Sequence, residues 1–140
     1  MDLVLGTMTF GAQTSRAASV EQLKYFVQKG YSIIDTARMY CHGLTEEILG
    51  DICHDPTTKI DINKLSFASK ANPFPGYNEN LTPANVRTQS DAILKALQVQ
   101  YTDVFYLHAP DIHTPIEETL AAVQELYVQN RFKELGLSNY

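Results

Sequence analysis

The sequence predicts an α/β fold, and within that class the first four βα units of a (β/α)8 TIM barrel followed by a fifth strand. Apolar runs typical of buried strands begin near residues 3, 31, 65, 103 and 133, and a helical pattern lies between each run and the next. This alternation predicts a parallel sheet. A doubly wound nucleotide-binding sheet is the other architecture with this order. It is disfavoured because Gly6 and Gly11 form neither the G-x-G-x-x-G pattern nor a P-loop.

The apolar runs define five strand segments, of which the first and the last are expected to continue into a loop. These segments are Leu3–Gly11, Tyr31–Ala37, Leu65–Lys70, Asp103–His108 and Phe132–Tyr140. The stretch after the third strand, Asn72–Tyr77, is not expected to be helical because it contains two prolines and a turn glycine. Loops of this kind after a strand often carry functional residues.

Capping patterns predict where the helices begin. The segments Ser19–Gln22 and Thr114–Glu117 have the spacing of a capping box, and Thr82 precedes Pro83 at a first helical position. A short helix is expected near Thr45, with two acids in its first turn. The apolar stripes of the four helices, in chain order, are Val20, Leu23, Phe26 and Val27; Ile48, Leu49 and Ile52; Val86, Ile93, Leu94 and Leu97; and Ile116, Leu120, Val123 and Tyr127.

The composition predicts a soluble cytoplasmic protein. The charge sum of 11 − 16 = −5 disfavours nucleic acid and acidic membrane surfaces as partners. No segment approaches the ~20 apolar residues of a membrane span, and the N-terminus lacks the segments of a signal peptide. Two cysteines, Cys41 and Cys53, do not make a disulfide framework. Together with His42 and His54 they match no common zinc spacing, so no metal is expected.

Four residues at or just beyond strand ends are candidates for catalysis. Asp35 lies near the end of the second strand, Tyr40 follows five residues later, Lys70 ends the third strand and His108 ends the fourth. Side chains at the carboxyl ends of parallel strands meet at one face of a barrel, so we expect the four to come together. Lys64 is the other candidate lysine, but Lys70 is preferred because it follows the apolar run directly.

These four residue types suit the reduction of a carbonyl group. A hydride that arrives at the carbonyl carbon leaves an alkoxide, and Tyr40 can supply its proton. A phenol with an ordinary pKa of about 10 is a poor match for neutral pH. We therefore expect the Lys70 ammonium to lower the Tyr40 pKa, with Asp35 holding Lys70 in place. His108 can orient the carbonyl through a hydrogen bond.

The residues around this quartet predict an apolar substrate mouth. The candidates to line it are Met8, Phe10, Met39, Phe74 and Tyr77, for which plain packing is the other explanation. Arg38 either attracts a substrate carboxylate or points outward into solvent.

Spaced motifs run through the whole chain. They are Leu5-Gly6-Thr7-Met8, Asp35-Thr36-Ala37-x-x-Tyr40, Thr45-Glu46-x-x-Leu49-Gly50, the strand ending in Lys70, Tyr106-Leu107-His108-x-Pro110-Asp111, Thr114-Pro115-Ile116-Glu117-Glu118-Thr119-Leu120 and Glu134-Leu135-Gly136-Leu137-Ser138-Asn139-Tyr140. In this combination the sequence resembles the aldo-keto reductase family, and most of all the branch that reduces aflatoxin dialdehyde and succinic semialdehyde.

The resemblance implies the reduction of aldehydes or ketones to alcohols by hydride transfer from NADPH. It makes Tyr40 the proton donor, Lys70 and Asp35 its tuning pair, and His108 the residue that orients the substrate. The cofactor-binding residues that it implies are Gly6, Thr7, Met8, Asp35, Ser138 and Asn139. Within this set, Ser138 and Asn139 match the pair that binds the nicotinamide carboxamide.

The chain departs from this family in length. Family members complete eight strands, whereas these residues reach just inside the fifth βα loop, so residues 1–140 are expected to be the truncated N-terminal half of an aldo-keto reductase domain. By resemblance, the tyrosine that stacks on the nicotinamide and the grip on the 2′-phosphate belong to the later half. We therefore expect the 140-residue chain alone to be inactive, and its edge strands to favour a homodimer or larger assembly.

Three other functions stay open from the sequence. A lysine Schiff-base aldolase would also place a lysine at a barrel strand end, and it predicts that borohydride traps substrate on Lys70. A cofactor-binding regulatory subunit, like the potassium-channel β subunit that the fold also resembles, would bind cofactor with slow or absent turnover. A truncated product would have no activity of its own.

Overall fold

The computed structural model describes residues 3–74 and 76–140, which form one parallel sheet of five strands. The strands are β1 (Val4–Gly6), β2 (Ile33–Asp35), β3 (Ser66–Ala71), β4 (Thr102–Leu107) and β5 (Phe132–Leu137). The helices between them are α1 (Arg16–Gln28), α2 (Leu44–His54), α3 (Pro83–Leu97) and α4 (Ile116–Val128). Short 3₁₀ segments, Tyr40–Gly43 and Ile62–Lys64, flank α2.

The strands lie side by side in the order in which they occur in the chain, and each neighbouring pair is parallel. A doubly wound sheet would instead reverse its order at a switch point. Consecutive parallel strands joined by helices are the arrangement of a (β/α)8 barrel, here with five of its strands. The predicted fold class, a partial barrel, is therefore confirmed.

An apolar cluster between the sheet and the helices holds these layers together. The strands contribute Ile34, Phe67, Phe105 and Leu107, and the helices contribute Leu23, Leu49, Ile52, Val86, Ile93, Leu97, Val123 and Leu126. Burying a side chain of this size stabilises a fold by roughly 1.5–3 kcal/mol. The core fixes the helices against the sheet and leaves the carboxyl ends of the strands free to carry polar groups.

The predicted start of α1 is wrong by one helical turn. Ser15 is the N-cap, and its Oγ accepts a hydrogen bond of 3.3 Å from the Ala18 N–H. Ser19 lies inside the helix and is buried, and its hydroxyl donates to the Ser15 carbonyl at 3.0 Å. The two serines are four residues apart and therefore lie on one helix face. The Ser19–Gln22 spacing has the form of a capping box although Ser19 lies inside the helix, so this spacing alone predicted the wrong N-cap.

The predicted capping box of α4 is also wrong. The Thr114 hydroxyl donates to Asp111 Oδ2 at 2.8 Å, and Pro115 occupies the N-cap without a side-chain hydrogen bond. The predicted apolar stripe shifts as well. Val123 is buried, whereas Ile116 and Leu120 are each 39% exposed and Tyr127 is 50% exposed.

The other two helices follow the prediction more closely. Thr82 is the N-cap of α3, Pro83 is its first residue, and its predicted apolar residues are buried. The helix α2 is longer than expected, with Gly43 as its N-cap, and its predicted apolar residues are also buried. The loop residues 72–74 and 76–77 are not helical, as predicted, while the predicted turn proline Pro75 lies outside the described residues. Within residues 3–74 and 76–140, no helix is both long and apolar enough to cross a membrane.

Candidate active site

The carboxyl ends of the first four strands bring the predicted quartet to one face of the sheet. Gly6 pairs with Asp35 in the register of β1 and β2, and Lys70 pairs with Tyr106 in that of β3 and β4. His108 follows directly after β4, and its N–H donates to the Ala71 carbonyl at 3.0 Å. Side chains from several strands therefore meet where a barrel carries its active site.

Asp35 and Lys70 form the central ion pair of this face. Lys70 Nζ lies 2.7 Å from both carboxylate oxygens of Asp35 and 2.7 Å from the Thr36 carbonyl. Lys64, by contrast, has a side chain that is 78% exposed and lies 3.8 Å from Asp61. Lys70 is thus the lysine that lies beside Asp35, as the sequence favours. Its charge-assisted hydrogen bonds to both oxygens hold the ammonium in one place.

Tyr40 lies above this pair, with its ring centroid 5.4 Å from Lys70 Nζ. A sharp turn sets its position: Cys41 and His42 have positive φ angles of 49° and 56°, and Gly43 follows at 92°. Three successive left-handed residues are rare because a Cβ clashes there, so the turn concentrates strain beside Tyr40.

The expected lowering of the Tyr40 pKa by Lys70 does not hold in this geometry. Burial, followed by the negative charge of Asp35, raises the Tyr40 pKa above its ordinary value. The physical reason is that the Lys70 ammonium directs its hydrogen bonds to Asp35 and Thr36 rather than to the phenol. Tyr40 is therefore a neutral phenol near pH 7, which is the form that can give a proton.

His108 completes the quartet with its ring edge-on to Tyr40, at 6.0 Å between ring centroids. Burial lowers the His108 pKa, and the positive charge of Lys70 lowers it further, against a smaller opposing effect of Asp35. The ring is therefore neutral at neutral pH and can donate from one nitrogen only. Among the described residues its buried Nδ1 has no hydrogen-bond partner.

The predicted cofactor residues lie at the same end of the sheet, and their contact with a cofactor stays a prediction. Asn139 Nδ2 donates to the His108 carbonyl at 2.9 Å and to Ser138 Oγ at 3.0 Å. Thr7 is buried, and both its N–H and its hydroxyl donate to the Asp35 carbonyl, at 3.0 and 2.9 Å. Met8 is exposed. Thr7 thus holds the end of β2 in place.

Aromatic side chains from the loop after β3 border the quartet. The Phe74 ring lies edge-on to His108 at 5.4 Å, and the Tyr77 ring stacks on His42 at 4.9 Å. Met8 and Met39 are exposed and half-buried, respectively. Phe10, another candidate for the substrate mouth, is instead a core residue. Phe74 therefore lies against His108 of the quartet, whereas Tyr77 contacts the neighbouring His42, and a substrate mouth at this loop stays a prediction.

The sequence interpretation missed a cluster of charged residues next to the quartet. Arg38 is not an outward side chain, because its Nε lies 3.3 Å from Glu79 Oε1 and its Nη1 lies 3.9 Å from Glu46 Oε2. Glu46 is fully buried, and the Ser69 hydroxyl donates to its Oε1 at 2.5 Å. Burial raises the Glu46 pKa to about 7. Glu46 belongs to one of the sequence motifs, but its position in the first turn of α2 also explains an acid there, so the sequence does not reveal its burial.

Comparisons with known proteins agree with this architecture. The sequence profile of the "Aldo/keto reductase family" matches residues 2–140. The mouse protein "Aflatoxin B1 aldehyde reductase member 2" is 45% identical over 142 residues, which cover 98% of this chain and 36% of that protein. The human "Aflatoxin B1 aldehyde reductase member 4" is 42% identical, with 98% of this chain and 40% of that protein covered. The chain thus spans well under half the length of these relatives.

Solved structures give the same result for the fold. A thermostable aldo-keto reductase, Tm1743, in complex with the inhibitor epalrestat, superposes with a TM-score of 0.83 at 30% identity. The match covers 98% of this chain and 49% of that one. The holo form of aldo-keto reductase AKR11C1 from Bacillus halodurans gives a TM-score of 0.83 at 26% identity, and 46% of that chain is covered. About half of each barrel therefore corresponds to the present chain.

Proposed function

The chain belongs to the aldo/keto reductase family, and from this premise we propose that it contributes the proton-donating half of a site that reduces aldehydes or ketones with NADPH. The observation that carries the proposal is the quartet: Lys70 is bonded to Asp35, the Tyr40 ring lies over the ammonium, and His108 lies edge-on to that ring. The set combines a neutral acid, a fixed cation and a neutral imidazole at the carboxyl ends of barrel strands.

Each member of the quartet has a task in this reaction. The neutral phenol of Tyr40 gives its proton to the oxygen of the reduced carbonyl, and Lys70 stabilises the phenolate that is left. Asp35 and the Thr36 carbonyl hold that ammonium in place before the reaction, so no reorganisation is needed. His108 donates one N–H to the carbonyl oxygen and fixes its orientation.

The residues at this face fit the nicotinamide end of NADPH, which supplies the hydride when bound. Gly6 is exposed, and among the described residues no heavy atom outside residues 5–7 lies within 4 Å of the position that a Cβ would take there, so a flat ring can approach the end of β1. Ser138 and Asn139 provide a hydroxyl and an amide for a carboxamide. We propose that the remainder of the cofactor is held by strands beyond the fifth.

The names of the relatives support aldehydes as the substrate class, and the aromatic side chains fit apolar ones. Phe74 and Tyr77 offer apolar faces close to His108 and His42, and related proteins of this family are aldehyde reductases. The two residues suit an aryl or alkyl group on the carbonyl carbon. We also propose a cytoplasmic location, since Cys41 and Cys53 do not make a disulfide framework.

A chimera tests the proposal. Residues 1–140 replace the matching N-terminal part of the human "Aflatoxin B1 aldehyde reductase member 2", to which the chain is 44% identical. We expect the chimera to oxidise NADPH when an aromatic aldehyde is added, and its Tyr40→Phe variant to bind NADPH without comparable turnover. Binding of NADPH by a chimera that never turns over would favour a regulatory subunit instead. Borohydride trapping of an aldehyde on Lys70 would favour an aldolase.

A further inference from the structure

We propose that Arg38, Glu46 and Glu79 are positioning residues of this site, which hold the loop of Tyr40 against the loop of Phe74 and Tyr77 and so set the substrate mouth. The inference rests on the proposed function, because it gives these residues a task at the same site. It is carried by a chain of contacts that begins in α2 and ends at the ring of His108.

Arg38 lies in the middle of this chain of contacts, in the loop that carries Tyr40. Its backbone N–H donates to the Lys70 carbonyl at 3.2 Å, which anchors the residue to the end of β3. Its guanidinium lies directly over Gly43, where an added Cβ would meet Nη1 at 1.8 Å. The φ of 92° at Gly43 favours a glycine, and an added Cβ there would displace the Arg38 guanidinium from its present position.

Glu46 faces the guanidinium from inside the protein. It has no exposed surface, Ser69 donates to one of its oxygens, and the other oxygen lies 3.9 Å from Arg38 Nη1 without a hydrogen bond among the described residues. Burial of an acid with incomplete partners is costly, and an apolar side chain of similar size would pack there without that cost. The presence of Glu46 is therefore not explained by stability, whereas a role in positioning Arg38 does explain it.

Glu79 carries the connection across to the second loop. Its Oε1 lies 3.3 Å from Arg38 Nε, and its Oε2 accepts a hydrogen bond of 2.9 Å from Asn72 Nδ2. The Asn72 side chain in turn accepts from the Phe74 N–H at 2.9 Å, and Asn72 itself is buried and bonded to Gln89. The path from Glu46 therefore reaches the backbone of Phe74, whose ring lies on His108.

This arrangement links the positions of the two loops. The Arg38 guanidinium lies 3.3 Å from a Glu79 oxygen and 3.9 Å from a Glu46 oxygen, and its Nε has no hydrogen-bond partner among the described residues. The link is therefore electrostatic, and it favours one common position of the segments that carry these charges. The second loop bears Phe74 and Tyr77, and the first bears Tyr40 and His42, which Tyr77 covers. Removing Arg38 or Glu79 should loosen the second loop while the Asp35–Lys70 pair stays in place.

Ring signals of the 140-residue chain test this without cofactor or turnover. With ¹³C-labelled phenylalanine and tyrosine, Arg38→Met and Glu79→Gln should each shift or broaden the signals of Phe74 and Tyr77, while the signal of the core residue Phe105 stays in place. Arg87→Met is the matched control, since Arg87 forms an exposed ion pair with Glu125 on the helices. If the Arg38→Met variant fails to fold, the Glu79→Gln variant alone tests the proposal, because glutamine has nearly the same shape as glutamate.

Unmoved Phe74 and Tyr77 signals in a folded Glu79→Gln chain would overturn the proposal. In the active chimera, the same substitution should raise KM for a bulky aromatic aldehyde about tenfold and change kcat less than twofold. An equal loss in both constants, or none, would also overturn it. Because the ring signals are read without NADPH, an inactive chimera with shifted signals would count against the proposed function and not against the positioning role.

Discussion

Replacing Glu46 by glutamine should make the protein more stable at pH 8 and leave its stability at pH 4 almost unchanged. Burial raises the Glu46 pKa from its ordinary value of 4.5 to about 7, because the charged form is poorly solvated inside the fold. The charged and polar groups that face this carboxyl are Ser69 and Lys70 from β3, Arg38 from the loop after β2, and Glu79 from the loop after β3. Ser69, Arg38 and Lys70 favour the charged form and Glu79 opposes it, and the net attraction does not offset the desolvation.

The sign and the size follow from linkage. A raised folded-state pKa means that the folded protein prefers the protonated acid, so the stability from this group is full below pH 4.5 and is lost as the pH rises through 7. Each pKa unit corresponds to about 1.4 kcal/mol, so the loss amounts to about 3 kcal/mol by pH 8. Glutamine stays neutral and keeps an oxygen for the Ser69 hydroxyl, so the Glu46→Gln variant escapes this loss.

Urea unfolding at pH 4, 6 and 8, followed by far-UV circular dichroism because the chain has no tryptophan, measures the difference. The free energy of unfolding of the Glu46→Gln variant minus that of the unmodified chain should grow from near zero at pH 4 to about 3 kcal/mol at pH 8. Glu47→Gln is the matched control, because it changes the same charge on the exposed neighbour and should give a flat difference. A Glu46→Gln difference that is equally flat would refute the reasoning.

Three further predictions concern the quartet and the isolated chain. In the active chimera, Tyr40→Phe should lower kcat by roughly 10²–10⁴-fold, the usual contribution of a general acid, with NADPH affinity nearly unchanged; a loss under about threefold would contradict its assignment as the acid. Lys70→Met should raise the Tyr40 pKa further, because the Asp35 charge is then unpaired, and tyrosine difference absorbance should show this while Lys64→Met shows no change. The 140-residue chain alone should run as a dimer or larger species in gel filtration and bind no NADPH at micromolar concentration; a monomer that reduces an aldehyde would contradict this.

The quartet could be predicted from the sequence because each member is tied to a strand end. Asp35, Lys70 and His108 follow apolar runs, and parallel strands bring their carboxyl ends to one face. The electrostatics could not be predicted in the same way. Whether Lys70 lowers the Tyr40 pKa depends on where its three N–H groups point, and they point to Asp35 and Thr36. Residue types do not encode that choice.

The positioning cluster was beyond sequence reasoning for a different reason. Arg38, Glu46 and Glu79 lie on two loops and a helix, and the last of them is 41 residues from the first along the chain (79 − 38). Each alone has an ordinary explanation, as a solvated arginine, a first-turn acid or a loop acid. Their shared environment appears only in the fold, where α2 places Glu46 against Ser69 of β3 and the side chain becomes fully buried.

The error in α4 shows how one apolar pattern can serve two surfaces. The helix buries Ala122, Val123 and Leu126 in the present core, whereas Ile116 and Leu120, which share a stripe with Val123 in the sequence, stay partly exposed. On the neighbouring strand β5, Leu135 and Leu137 are exposed too, at 41% and 55%. In a complete (β/α)8 barrel another βα unit follows the fifth strand and covers that strand and the preceding helix. The apolar residues of α4 therefore suit a helix that packs against neighbours on two faces. The predicted apolar stripe was wrong because it combined residues of both faces into one.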